Sequence, residues 1–218
     1  MARNQSDPLF VPDTGEAASD RLARSLAIEG TLGQAYVARR GVSVAIANAA
    51  GARFDADWCG RPALLFALYD DEGRLTSVHV RFLHTVRGQD KMQTIGPGGG
   101  VFGVGDGCRA DPLIIVEGAF DALSLAVCGR SCIATLGRWA PWLPAVCRGR
   151  TVLLAFDGNR PGDNEAARYL SLLPDAHLLR LRPPLLCKDW NTALVKRGQV
   201  IVTTWLRDNV GTQQANIL

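Results

Sequence analysis

Three acids occupy the same kind of position in this chain. Glu117 closes the apolar run Leu113–Val116, Asp157 closes the run 152–156, and Asp189 follows the run 177–181 after a short loop. Runs of branched apolar residues of this length read as buried strands. Each acid therefore stands at or beyond the carboxyl end of a strand, where open α/β sheets bind their ligands. Carboxylates gathered around one cavity repel each other unless a cation lies between them. Donors that are all oxygen suit magnesium (or manganese), a hard ion that keeps some of its water. No His or Cys accompanies the trio, which argues against zinc. An acid after a strand also serves as a helix cap, and Asp157 or Asp189 taken singly has that reading. Glu117, in Val-Glu-Gly, is a poor cap signal.

The elements that must position these acids alternate after residue 108. Strands are expected at 113–116, 132–135, 151–156 and 177–181. Helices are expected at 121–127, 141–146, 164–173 and 190–196. That order predicts an α/β fold, a small parallel four-stranded sheet with helices on both faces. The front of the chain reads differently. Residues 1–29 are expected to be a flexible N-terminal segment with a short helix over 14–28. Residues 30–108 are expected to form a smaller α+β subdomain, and residues 109–218 the α/β domain. Within 30–108, "TLGQAYVARRG" reads as a helix capped by Gly41, and "SVAIANAAG" as one more helical unit. The runs 63–69 and 75–82 form a hairpin across Asp70, Asp71, Glu72 and Gly73. "TIGPGGGVFGVGDG" contains Gly98-x-Gly100-x-x-Gly103, but no helical pattern follows, so it is read as a loop and bend rather than a dinucleotide site.

Composition narrows the setting. Of 218 residues 47% are apolar, enough for a sizeable core, and the net charge of +3 suits a local basic groove better than a wholly basic surface. No run of roughly 20 apolar residues predicts a membrane span, and the opening "MARNQSDPLF" lacks a signal-peptide apolar region. The six cysteines include no CxxC pair, so they are expected to be free thiols of a cytoplasmic protein.

"IIVEGAFDALSL", "LLAFDGNRPGD" and "KDWNTAL" together resemble the three signatures of the toprim domain. Bacterial-type DNA primases, type IA and type II topoisomerases and some nucleases share that domain. The resemblance implies Glu117, Asp157 and Asp189 as catalytic residues. It implies a metal set of the same three with Asn159 and Asp163, motif glycines at Gly118 and Gly162, and a nucleotide contact from Asn191. The family's second aspartate is Asn159 here, which offers an oxygen without the charge, and Asp163 lies near enough in sequence to substitute. The front half, with "YVARRG", "RPALLFALYDDEGRLTSVHVRF" and "DKMQTIGP", resembles the segment that precedes toprim in primases, most of all those of plasmids, phages and other mobile elements. Arg81 and Lys91 match that family's basic residues along the template and nucleotide channel. Strand alternation puts Arg81 with His79 and Leu83, and Lys91 is expected to reach the same side.

The expected function is then synthesis of short RNA primers on single-stranded DNA from ribonucleoside triphosphates. The chain carries no zinc-ribbon cluster and no Walker A motif, so it resembles the polymerase core alone, with a separate helicase or zinc-binding protein as the implied partner. Two alternatives stand beside it: a toprim nuclease that hydrolyses DNA, and a non-catalytic nucleic-acid-binding module of a replication assembly. A topoisomerase fits worse, because Tyr36, Tyr69 and Tyr169 have no setting for a nucleophile.

Overall fold

The computed structural model describes residues 18–215, with side chains as far as Val210. The first 17 residues of the expected N-terminal segment lie outside the described residues. What is described of its helix is α1 (Ala18–Arg24). Two short helices follow, α2 (Leu32–Arg39) and α3 (Val44–Ala49). Each starts on a hydroxyl that accepts an otherwise unpaired backbone N–H: Thr31 from Gly33 at 3.1 Å and Ser43 from Ile46 at 3.3 Å.

Next comes an antiparallel sheet of β1 (Arg53–Trp58), β2 (Arg61–Tyr69), β3 (Leu75–Phe82) and β4 (Met92–Ile95), in that order. The hairpin of β2 and β3 is the expected one. Strands β1 and β4 are not anticipated, because the charges of Arg53, Asp55 and Asp57 mask the inward Phe54 and Trp58. Alternation sorts the sheet's two faces. Ala63, Leu65, Val78, Val80 and Phe82 pack with Trp58 beneath Ala18 and Leu22 of α1. Leu64 and Phe66 point the other way, into the main core.

The second sheet corrects the expectation of four strands. It has five, ordered β5 (Phe102–Val104), β7 (Cys132–Ala134), β6 (Leu113–Val116), β8 (Thr151–Leu154) and β9 (His177–Arg180). Four run parallel, and β5 pairs antiparallel to β7 at the edge. The extra strand comes from the glycine-rich segment read as a loop. Phe102 and Val104 are buried apolar residues on one side of a three-residue strand, and the glycines around them conceal the pattern. Because β5 precedes residue 108, the first segment of the chain completes the sheet of the second. Tyr69 and Val101 also bridge the two sheets, with backbone bonds of 3.0 and 2.9 Å.

The helices of this part are α4 (Ala119–Val127), α5 (Leu143–Cys147), α6 (Arg160–Leu172), α7 (Trp190–Arg197) and α8 (Gln199–Ala215). Side chains of β6 divide between them. Ile114 and Val116 pack with α4, α7 and α8 and with Leu64 and Phe66 of the first sheet. Leu113 and Ile115 pack with α5 and α6. The chain thus crosses to opposite faces on either side of β6, and the crevice this opens lies at the carboxyl ends of β6 and β8. Among the described residues no helix is long and apolar enough to cross a membrane.

Candidate active site

Glu117 follows β6 directly, and Asp157 lies three residues beyond β8 on the neighbouring strand. Asp189 is the N-cap of α7, its Oδ1 accepting the Thr192 N–H at 2.6 Å. The three form one electrostatic group. Partial burial first, and the Asp157 charge second, push the Glu117 carboxyl above its ordinary value, and Asp189 adds to the shift. A lysine answers them: Lys188 Nζ stands 3.2 Å from Asp157 Oδ2, and its pKa is raised by Asp157 first and by Asp189 and Glu117 further.

Asn159 caps α6. Its Oδ1 accepts the Gly162 N–H at 3.0 Å, and its Nδ2 faces Asp157 Oδ2 at 3.4 Å. Gly162 is required there by close approach, since a Cβ would fall 2.1 Å from the Asp157 carbonyl oxygen. Gly118 is the N-cap of α4. Asp163 is held otherwise than expected. Its Oδ1 meets Arg180 at 3.2 Å and Arg182 at 3.0 Å, which hold its carboxyl below the usual range, so it does not stand in for a missing aspartate.

The donors fit a hard divalent ion in kind, being oxygens under mutual repulsion. Their present distances do not close around one: among the described residues no three His, Cys, Asp or Glu side chains gather tightly enough to hold a metal. One oxygen of Asp157 is engaged by Lys188 and one of Asp189 by its helix, so an ion would compete with those partners or use the second oxygen of each.

Arg180 builds the loop that carries Asp157. One of its nitrogens donates to the carbonyls of Leu154 at 3.0 Å, Phe156 at 2.9 Å and Leu181 at 2.9 Å, and the other donates to that of Asp157. Removing the guanidinium leaves several partly buried carbonyls without a donor, so Arg180→Ala should lower stability by about 1–3 kcal/mol, read as a shift of the urea midpoint. An unchanged midpoint would mean that water replaces the guanidinium at no cost.

Asn191 is a correction. It was expected to contact nucleotide, but it is 3% exposed and fully used. Its Nδ2 donates to the Arg40 carbonyl at 2.8 Å and to Ser124 Oγ at 3.0 Å, and its Oδ1 accepts from the Arg40 guanidinium at 2.8 Å. Its backbone N–H goes to Asp121 Oδ1 at 3.1 Å. It is a tie between α7, α4 and the end of α2. The tie continues to Arg81, because Tyr36 Oη accepts from Arg81 Nε at 3.1 Å and from Arg40 at 3.4 Å. Burial pushes the Tyr36 hydroxyl up, but the two guanidiniums outweigh it and hold the group below its usual value. Tyr36, Arg40, Asp121 and Lys188 were not singled out from the sequence. The readable signal was an acid inside the otherwise apolar helix "AFDALSLAV".

Arg81 lies within β3, and Lys91 stands in the exposed bend just before β4. Arg81 pairs with Met92 across β3 and β4, and Phe82 donates its N–H to the Lys91 carbonyl at 3.1 Å. Lys91 therefore lies opposite Phe82, one residue before β4 begins. Arg81 and His79 face the second sheet. Burial first, then Arg81, lowers the His79 pKa to about 4, so this imidazole is neutral near pH 7.

Comparison with known proteins bears on the fold. Residues 114–194 match the Toprim-like family model, and residues 12–97 match a domain of unknown function (DUF7146). No curated protein matches the sequence. The fold is similar to that of the primase fragment of the bacteriophage T7 primase-helicase, at 18% identity and TM-score 0.59, covering 79% of this chain and 73% of that one. It is similar to a DnaG primase catalytic domain bound to single-stranded DNA, at 18% identity and TM-score 0.64, covering 87% and 76%. It is also similar to the Aquifex aeolicus primase (zinc-binding and RNA polymerase domains), at 14% identity and TM-score 0.63, covering 87% of this chain but only 59% of that one. Residues 114–194 thus match the Toprim-like family, and the fold of the described residues is similar to that of bacterial-type primase catalytic domains.

Proposed function

We propose that this protein is a DNA primase-like nucleotidyltransferase, joining ribonucleotides on a single-stranded DNA template. One observation carries the reading. The Arg81–Tyr36–Arg40–Asn191 chain of hydrogen bonds ties a basic side chain of the first sheet to the helix that opens on Asp189. A cation for phosphates and a set of acids for a metal are thereby fixed in one frame, as phosphoryl transfer needs.

In this reading Glu117, Asp157 and Asp189 would hold a divalent ion. Bound there, the ion would lower the pKa of the attacking 3′-hydroxyl and neutralise charge on the triphosphate. The chain's own residues do the rest. Lys188 is free to swing from Asp157 towards a phosphate, because its side chain is 65% exposed. Arg81, anchored at one nitrogen by Tyr36, presents the rest of its guanidinium to a strand or a nucleotide. Asn191 orients Arg40 and the start of α7 and touches no substrate.

A second reading has its own observation. The Asn159 oxygen is spent on the α6 cap and Lys188 already neutralises Asp157, both of which suit a non-catalytic module of a replication assembly. A primer-synthesis assay on single-stranded DNA with labelled ribonucleotides separates the two. Labelled primer that disappears with chelator supports the enzyme. Single-strand binding without product, indifferent to chelator, supports the module. DNA shortened without consumption of nucleotides supports a nuclease.

Arg81 and Lys91 make a sharper test than either alone. Arg81→Gln should flatten the salt dependence of single-strand binding by about 0.7 in log–log slope, the loss of one phosphate contact. Lys91→Gln, in the exposed bend outside β4 and without the anchor that Tyr36 gives Arg81, should leave the slope as it is. Equal slopes for both variants would remove Arg81 from the binding groove.

A further inference from the structure

Beside the acids the chain makes a tight turn over residues 184–187, closed by the Cys187 N–H donating to the Pro184 carbonyl at 3.0 Å. Its flanks, Pro183, Pro184 and Cys187, are buried. Its tip is not: Leu185 is 79% exposed and Leu186 84%. Among the described residues no large apolar side chain is more exposed than Leu186. Leu186 also has φ +66, in the left-handed region, at a position of the turn where glycine or asparagine usually stands. Two unfavourable features therefore coincide, apolar surface left in water and a leucine where glycine would relieve strain. Such coincidences gather at binding sites.

The turn is fastened rather than loose. The Gly158 N–H donates to the Lys188 carbonyl at 2.6 Å, and Arg197 donates to the Leu185 carbonyl at 3.4 Å. Pro183 and the Cys187 carbonyl press so close on Gly158 that a Cβ there would meet them at 3.0 and 3.1 Å. Gly158 follows Asp157, so the two leucines are held directly beside the acid-bearing loop. The rim carries two cations, Lys188 and Arg182, with side chains 65% and 60% exposed and paired at present with Asp157 and Asp163.

An apolar tip in a basic rim complements a polyanion whose other parts are flat and apolar. We propose that Leu185 and Leu186 form a wedge that contacts and unstacks bases of a single-stranded nucleic acid while its phosphates pass Lys188 and Arg182. The inference rests on the reading of the site given above and adds to it a contact to bases. Leucine wedges unstack base steps elsewhere by the same physics.

The test uses the full chain and a single-stranded oligonucleotide carrying 2-aminopurine, whose fluorescence rises when it is unstacked. The parent should brighten the probe on binding. Leu186→Gly should hold or raise thermal stability, since it relieves the left-handed leucine. The double variant Leu185→Ser/Leu186→Gly should bind about tenfold more weakly, the loss of a partly buried pair of leucines, and should no longer brighten the probe. Its salt slope should match the parent's, because apolar contacts release no counterions. Parental affinity and brightening in the double variant would overturn the wedge and leave the leucines as a surface for a protein partner. Weaker binding with a flatter slope would overturn it too, by placing the loss on phosphate contacts. A parent that does not hold single strands would remove the primase reading, and the wedge with it.

Discussion

Glu117→Gln should reduce primer synthesis by about 10³-fold, the scale of losing a charged group that acts in the transition state, and leave the thermal midpoint within a few degrees. Glu117 stands at the end of β6 with much of its surface in solvent and its carboxyl partly desolvated, and it is not a member of the apolar core that includes its neighbours Val116 and Ala119. Its carboxyl is unfavourably placed as the site stands, since burial and the charges of Asp157 and Asp189 all resist its ionisation. Removing that charge relieves repulsion, so the folded state should not suffer. Under the proposed function the acid acts towards something absent from the free protein, a cation or a proton of the attacking hydroxyl. Thermal melts and product yield measured on the same preparation decide it. A variant that melts well below the parent, with full activity in its folded fraction, would show Glu117 to be structural.

What the sequence disclosed depended on how each feature is encoded. Strand-end acids are legible where an apolar run stops on a charge: Glu117 directly follows β6 and Asp157 lies just beyond β8, whereas Asp189 caps α7, the other reading open to it. Strand β5 was hidden because its inward residues, Phe102 and Val104, sit among glycines. The partners of side chains were the least legible part. Asn191 and Asp163 carry the right residue types for a site, yet one is consumed by Arg40 and Ser124 and the other by Arg180 and Arg182. The separation of Asn191 from Arg40, 151 residues, explains why no local pattern foretold it. Lys91 stands in a bend before β4, where strand alternation no longer fixes the direction of a side chain, so its side could not be read from Arg81.

Asp121→Asn should change how stability depends on pH. Asp121 is 9% exposed in the first turn of α4, and its carboxylate receives the Asn191 N–H that joins α4 to α7. Burial first, and the Asp189 and Asp157 charges after it, raise its pKa from 3.8 to about 7, against the pull of the backbone N–H groups. The native pKa lies above the unfolded one. The native state therefore holds the proton more tightly, its advantage is complete below about pH 4, and stability falls as the pH rises to about 7. Above that both states are ionised and the loss is constant. Asparagine keeps an acceptor for the Asn191 N–H and has no charge to bury. The stability of the variant relative to the parent should thus rise by about 2–3 kcal/mol between pH 5 and pH 8, measured by urea unfolding in chelator. Chelator matters because a divalent ion near Asp157 and Asp189 would cancel the two charges that help to raise Asp121. A difference that stays level from pH 5 to pH 8 would mean that Asp121 is ionised throughout and that the N–H groups of α7 are enough to hold its charge. With magnesium present the rise should shrink, and by how much it shrinks reports on the ion at the acid cluster without any turnover of substrate.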